Sequence, residues 1–203
     1  MTKGGLMIDI KNYPIFATNI LSLQKISCYT NDNQPPKPMI CSKINAVSFD
    51  KVKDEHIKGL HLSDIPKSND ALCKDKGGSV VFVEFKNGSI DKKVQHDIRR
   101  KIYDSVLIFT DITESRITEM RKNVDYILVI NEDKNSQTIK EKNTHVQESD
   151  SYTSLATAVS KEANEKLIRY GLKMFKNYCF KEVSVLSKSE FEEYAKSHLE
   201  NFC

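Results

Sequence analysis

The chain has 203 residues, of which 39% are hydrophobic and 29% charged, and its formal net charge is +3. This composition predicts one soluble, cytoplasmic globular domain, because no apolar run approaches the ~18 residues of a membrane span. The five cysteines are widely spaced without a C-x-x-C motif, which disfavours a zinc site or a disulfide framework. The mildly basic charge permits contact with nucleic acid but does not require it.

Residues 1–47 have the weakest pattern and are interpreted as an N-terminal extension. Apolar runs at 16–23 and 25–29 are compatible with strands or a short helix. Residues 31–38 have the Asn- and Pro-rich composition of a loop, and residues 39–47 fit a further strand.

A helix and a hairpin are predicted after the extension. Apolar residues recur at helical spacing from Phe49 to Leu60, directly after Ser48 as a candidate N-cap, which predicts a helix. Residues 70–73 and 79–86 are short apolar runs separated by a turn rich in Lys and Gly. This spacing predicts two strands of an antiparallel hairpin.

A long amphipathic helix is predicted after Asn87-Gly88. Apolar residues repeat every three to four positions from Val94 to Phe109, although residues 106–109 alone also fit a strand. A short helix over 113–122 and a buried strand over 126–130 come next. The resulting order of strand, helix and strand indicates an α/β domain.

The C-terminal part is predicted to contain helix, strand and helix. Residues 132–151 are polar and aperiodic, which is typical of a mobile loop. An apolar stripe predicts a helix over 155–175, and residues 179–186 fit a strand. Ser187 and Glu190 have the spacing of a capping box that begins a last helix.

Charged residues at the end of the 79–86 strand form the most informative feature of the sequence. Glu84 and Lys86 are two residues apart, so both side chains point to the same face of a strand. Asp70 lies fourteen residues before Glu84, at the start of the predicted hairpin partner. Burying a carboxylate or an ammonium alone is costly. These groups are therefore a salt-bridged strand end, a metal site or catalytic residues.

The chemistry of a divalent cation favours a metal site over a simple salt bridge. Mg²⁺ binds one or two carboxylates together with water and phosphate oxygens, and Asp70 and Glu84 supply the carboxylates. The Phe85 carbonyl is a candidate further ligand, and Lys86 is placed to orient water or to offset charge on a phosphate. Asp64 is an alternative first acid, but Asp70 is preferred because a predicted strand follows it directly.

Over residues 49–131 the chain resembles the PD-(D/E)XK nuclease superfamily, with Asp70 before a hairpin and a Glu-x-Lys motif at 84–86 on an apolar strand. The resemblance implies a restriction-endonuclease-like core of a helix, three strands, a helix and a strand. It also implies that Asp70 and Glu84 bind Mg²⁺ or Mn²⁺ and that Lys86 serves the attacking water. The chain departs from the superfamily pattern in having Asn rather than Pro before Asp70.

The resemblance also implies accessory residues on the two helices of the core. Some members of the superfamily add an acid from the first helix, for which Glu55 is the candidate. Others use a polar residue on the helix after the Glu-x-Lys strand, where Lys92 and Gln95 fit, one helical turn apart.

DNA is the partner that this resemblance implies. The early turns of the long helix are basic, and we expect Lys93, Arg99 and Arg100 to contact phosphates there; a solvated helix face is the alternative. No organic cofactor is expected, because the sequence has no P-loop and no G-x-G-x-x-G motif. A homodimer through the C-terminal helices is expected, since cutting a duplex takes two active sites.

We therefore expect a single α/β domain over 1–203, with a central mixed sheet flanked by helices and a helix-strand-helix unit in 152–203. The expected function is Mg²⁺-dependent hydrolysis of phosphodiester bonds in DNA by an endonuclease. The alternative is a non-catalytic binding or inhibitory protein of nuclease fold, such as an immunity or phage-defence component. A structural module in which Glu84 and Lys86 simply pair is the third hypothesis.

Overall fold

A six-stranded mixed sheet lies at the centre of the protein, of which the computed structural model describes residues 8–30, 35–135 and 153–202. The strands are β1 (Ile20–Ser22), β2 (Cys28–Tyr29), β3 (Lys37–Pro38), β4 (Asn45–Ser48), β5 (Ala71–Lys74), β6 (Val80–Lys86), β7 (Val124–Ile130) and β8 (Val183–Ser187). Their order in the sheet is β1-β4-β5-β6-β7-β8, and β2 pairs separately with β3.

Helices flank this sheet. They are α1 (Pro14–Ala17), α2 (Leu23–Ile26), α3 (Phe49–His56), α4 (Lys92–Thr113), α5 (Ile117–Asn123), α6 (Thr153–Arg169) and α7 (Lys188–His198). Within the described residues, short 3-10 helices span Ile10–Asn12, Glu132–Lys134 and Lys173–Phe175. Among the described residues no helix is long and apolar enough to cross a membrane.

Each face of the sheet buries its own apolar layer. On one face the core joins Phe16 of α1, Phe49 of α3 and Phe109 of α4 to Phe82 of β6. On the other face Leu23 of α2 and residues of α7 cover the opposite side chains of the strands. The sheet is therefore enclosed between two layers of helix, as in other α/β domains.

The central strand β6 connects the antiparallel and parallel halves of the sheet. It pairs antiparallel with β5 and parallel with β7, and all its residues except Lys86 are buried. Because side chains alternate along a strand, Glu84 and Lys86 lie on the same face as Phe82. That face is the one covered by α4.

Most of the predicted elements are confirmed. The helix that begins at Phe49 is α3, the hairpin is β5–β6, and α4 continues to Thr113, so residues 106–109 are helical. The capping box of α7 is also present. Ser187 Oγ accepts a hydrogen bond from the Glu190 amide at 3.1 Å, and Glu190 Oε2 accepts one from the Ser187 amide at 2.7 Å.

Several predicted boundaries differ from the structure: α3 ends at His56 rather than Leu60, α5 begins at Ile117 rather than at 113, and β8 begins at Val183 rather than at 179. The helix predicted over 155–175 ends at Arg169, because Gly171 adopts a φ of 68° that terminates the helix and is accessible mainly to glycine. In the segment predicted as a mobile loop, Glu132–Lys134 forms a 3-10 helix. Residues 136–151 of that segment lie outside the described residues.

The order of the core elements also differs from the expected one. Only two strands, β5 and β6, lie between α3 and α4, and the third antiparallel strand, β4, precedes α3. The α/β class and the mixed sheet flanked by helices are confirmed. The expectation of a helix followed by three strands is wrong for α3, because this helix is inserted between the first two strands of the meander.

Phe82 is the residue whose truncation should cost the most stability in this core. Its ring centroid lies 5.0 Å from that of Phe49 and 5.4 Å from that of Phe109. We expect Phe82→Ala to lower the free energy of unfolding by about 3–5 kcal/mol, because it leaves a cavity among these rings. Urea denaturation measures the change. Leu107→Ala on the exposed side of α4 is the control, and an equal loss in both variants would contradict this view of the core.

Candidate functional site

A cluster of two carboxylates and two lysines lies at the C-terminal end of β6. Glu84 is fully buried, and its Oε1 atom is 2.8 Å from Lys86 Nζ and 2.8 Å from Lys101 Nζ of α4. Lys101 Nζ is also 3.0 Å from Asp70 Oδ1. One ammonium thus contacts an oxygen of each carboxylate.

Asp70 is positioned by the backbone of β6. Its amide donates to the Val83 carbonyl at 3.1 Å, and its Oδ2 atom accepts a hydrogen bond from the Phe85 amide at 2.6 Å. In an extended strand the N–H and C=O of one residue point to the same edge. The Phe85 carbonyl therefore faces the side of β6 on which Asp70 lies.

Asp50, in the first turn of α3, is a third acidic neighbour of the cluster. Its carboxylate accepts a hydrogen bond from the Ser68 hydroxyl. Burial raises the pKa of Asp50, and the charge of Asp70 raises it further, while Lys101 opposes the shift. Within the described residues, however, no three His, Cys, Asp or Glu side chains are close enough together to hold a metal ion.

The charges in the cluster are strongly coupled. Burial and the nearby Asp70 carboxylate raise the pKa of Glu84 to about 7, although Lys101 and Lys86 act in the opposite direction. Burial alone would lower the pKa of Lys101, but the carboxylates of Glu84 and Asp70 outweigh it and raise that pKa. Lys101 is therefore an ammonium at every physiological pH, whereas Glu84 takes up a proton near neutrality.

Two buried polar atoms, one in the cluster and one on β7, have no hydrogen-bond partner in the described part of the chain. They are the second carboxylate oxygen of Glu84, Oε2, and the hydroxyl of Tyr126 on β7. Burial raises the pKa of the Tyr126 hydroxyl, and the charges of Glu84 and Asp70 raise it further. Unpaired buried polar atoms are rare and costly. Glu84 Oε2 is therefore available to a ligand.

The structure brings together the three residues of the predicted motif. Asp70, Glu84 and Lys86 all contribute to the cluster. Asp64, the alternative first acid, instead pairs with Arg100 Nη2 at 2.6 Å and is largely exposed.

The predicted accessory residues lie elsewhere. Glu55 accepts a hydrogen bond from Asn19 Nδ2 at 2.7 Å, and Asp50 rather than Glu55 is the acid of α3 that approaches Asp70. Gln95 donates to the Arg169 carbonyl at 3.1 Å, and Lys92 is exposed in the first turn of α4.

The three expected DNA contacts also have different surroundings. Arg99 lies against Gly171, where an added Cβ would be 2.0 Å from its Nη2 atom, and its Nε atom is buried. Arg100 pairs with Asp64 and with Asp104. Lys93 alone of the three is exposed and has no ion pair among the described residues.

Lys101 is the residue of the cluster whose contact with the two carboxylates the sequence argument did not predict. It lies three residues after Ile98 and four before Ser105, both of which are buried in α4. A residue at this spacing lies on the same side of a helix as its two neighbours. The pattern therefore carried a signal that Lys101 faces the sheet rather than solvent.

Comparisons with known proteins find no match for this chain. No protein-family model matches it, and neither the curated proteins nor the solved structures contain a significant match. The function is therefore argued from the chemistry of the cluster.

The raised pKa of Glu84 predicts a specific pH dependence of stability. The folded protein binds the Glu84 proton more tightly than the unfolded chain, whose carboxyl has a pKa near 4.5. The free energy of unfolding of the wild type, relative to Glu84→Gln, should therefore fall as pH rises from about 4.5 to about 7. Urea denaturation across this pH range measures it. Glu193→Gln, at an exposed site, should show the same dependence of unfolding free energy on pH as the wild type. If Glu84→Gln also shows that dependence, the pKa of Glu84 is not raised.

Proposed function

We propose that this protein is a Mg²⁺- or Mn²⁺-dependent nuclease that hydrolyses phosphodiester bonds in DNA. The observation that carries the proposal is that Asp70, just before β5, and Glu84, on β6, both contact the ammonium of Lys101. A fully buried carboxylate with a raised pKa, as at Glu84, is typical of functional sites. The candidate functions differ in whether a metal ion binds the two carboxylates or Lys101 alone compensates their charge.

The residues present fit a hard divalent cation. Asp70 and Glu84 supply carboxylate oxygens, and the buried Oε2 atom of Glu84 has no partner in the described residues. The Phe85 carbonyl faces the same side of β6. Mg²⁺ commonly takes one or two carboxylates and completes its coordination with water and phosphate oxygens, so the absence of a third carboxylate ligand is compatible with this ion.

When bound, such an ion supplies Lewis-acid chemistry, polarising a phosphoryl oxygen and acidifying a bound water. Lys86 is the residue of this chain that would orient the attacking water, because its ammonium is already 2.8 Å from Glu84 Oε1. The same ammonium offsets the negative charge that develops on the phosphate. Lys86 is one-fifth exposed and thus reachable from solvent.

Lys101 occupies the position between the carboxylates that a cation would take. With Lys86 it makes the cluster of two acids and two lysines electrically neutral. A divalent cation that binds Asp70 and Glu84 competes with Lys101 for the same oxygens. Lys101 therefore keeps the two ligands together and sets the affinity of the site.

A non-catalytic protein of nuclease fold is the second candidate function. The same contact favours it, because Lys101 already compensates both carboxylates without any metal. In that case the cluster is structural, and the protein acts by binding, as an immunity or phage-defence component would. The two candidates differ in metal binding and in metal-dependent cleavage.

Nicking of supercoiled plasmid in the presence of Mn²⁺ or Mg²⁺ tests the enzyme. We expect Glu84→Gln and Lys86→Ala to lower the rate at least about 100-fold, because each removes a group that acts in the transition state. Glu132→Gln is a matched control, since Glu132-Asp133-Lys134 is a second Glu-x-Lys motif that lies on an exposed 3-10 helix. Absence of metal-dependent cleavage by the wild type would exclude the enzyme and favour the binding protein.

Calorimetric titration with Mn²⁺ tests the competition with Lys101. We expect Lys101→Met to bind Mn²⁺ at least about tenfold more tightly than the wild type at a pH of about 8.5, where Glu84 is ionised. Lys74→Met is the control, because Lys74 is similarly buried and pairs with Asp9 away from the cluster. Equal affinities of the wild type and Lys101→Met would show that Lys101 does not occupy the cation position.

A further inference from the structure

An open cavity of about 570 Å³ lies directly beside the carboxylate cluster, between the end of β6 and the first turns of α4. Its volume is within the range of about 300–1,000 Å³ that is usual for ligand sites. The residues that line it and enter the argument are Lys86, Gly88, Ser89, Lys93, His96 and Asp97. Lys86 belongs both to this cavity and to the cluster.

The charge of the cavity wall is positive. Lys93 is exposed and has no ion pair or hydrogen bond among the described residues. Asp97, the one acid of the lining, is paired with Lys67 from outside the cavity. Lys86 pairs with the buried Glu84. Lys93 therefore supplies the unpaired charge of the lining among the described residues, and a positive charge of this kind favours an anionic ligand.

The remaining lining groups are suited to a phosphodiester. Ser89 and the imidazole of His96 are exposed hydrogen-bond donors, and Lys93 supplies a flexible point charge of the kind that binds phosphate. The space is larger than a free phosphate needs and is open to solvent, so a chain can enter and leave it. Lys86 connects the cavity to the carboxylate cluster, because its Nζ atom is 2.8 Å from Glu84 Oε1.

We propose that this cavity binds the phosphodiester backbone of one nucleic-acid strand and that Lys93, rather than Arg99 or Arg100, is its main cationic contact. The inference rests on the proposed function for the choice of nucleic acid as the polymer. Backbone binding at this position presents an adjacent phosphate to Lys86 and the carboxylates. It also uses the one of the three predicted contacts that is both exposed and without an ion pair among the described residues.

A pair of adjacent lysines provides the first test. Lys92 and Lys93 are both exposed in the first turn of α4, but only Lys93 lines the cavity. Binding of a labelled single-stranded DNA oligonucleotide is measured by fluorescence anisotropy in EDTA over a range of salt concentrations. We expect Lys93→Gln to weaken binding about fivefold to tenfold and to reduce the salt slope by about one. Lys92→Gln should change both by clearly less.

Gly88 provides a second test with little risk to folding. A Cβ added at this residue would meet no atom within 4 Å. We expect Gly88→Glu to weaken oligonucleotide binding at least about fivefold, because it adds a negative charge at the rim of the cavity. Gly88→Gln has a similar size and no charge, and it should bind nearly as the wild type does.

The outcomes separate this inference from the proposed function. The cavity is not the binding site if oligonucleotide affinity falls equally in Lys92→Gln and Lys93→Gln, or equally in Gly88→Glu and Gly88→Gln. This conclusion would hold even if plasmid nicking is normal. Loss specific to Lys93→Gln and Gly88→Glu would support it even if no cleavage is found. Inorganic phosphate serves as the competitor. If it displaces the oligonucleotide at a concentration equal to that of the oligonucleotide's phosphate groups, the cavity is a site for free phosphate, and the proposal that it binds a nucleic-acid strand is wrong.

Discussion

The burial of Glu84 is the constraint on which the rest of the site depends. A carboxylate inside a central strand needs opposite charge close by, and here that charge arrives from two directions, from Lys86 on the same strand and from Lys101 on α4. Because Lys101 also contacts Asp70, a single ammonium links the start of β5, the end of β6 and the helix above them. The position of α4 on the sheet is therefore fixed by electrostatics as well as by apolar packing.

A buried cluster of charges is not the usual way to stabilise a domain with an apolar core of this kind. Buried ion pairs can often be replaced by apolar residues without loss of stability, whereas the removal of one partner is strongly destabilising. The aromatic side chains around Phe82 supply the packing on the same face of the sheet. A charged group beside such a core, with an oxygen left unpaired, departs from what folding alone favours. Departures of this kind are expected at functional sites.

The sequence predicted the parts of the site that depend on local periodicity. The period of two predicted that Glu84 and Lys86 lie on one face of the strand. Helical spacing predicted α4, including residues 106–109, which alone also fit a strand. The sequence did not predict that Lys101 contacts Asp70 and Glu84, because the rotation of a helix over a sheet depends on contacts made far along the chain. For the same reason the sequence indicated Glu55, and not Asp50, as the acid of α3. A strand before α3 was expected within 39–47, but its pairing with β5 depends on contacts that no local pattern records.

The hydrogen bond between Asp70 and the Phe85 amide has a further consequence. At 2.6 Å this carboxylate oxygen takes the place of a backbone acceptor just before the β5–β6 pairing begins. A change in the ligands of Asp70 therefore alters a hydrogen bond of the sheet itself. The Phe85 amide proton is a natural spectroscopic reporter of this carboxylate, so the state of the cluster can be read from the backbone without any added label.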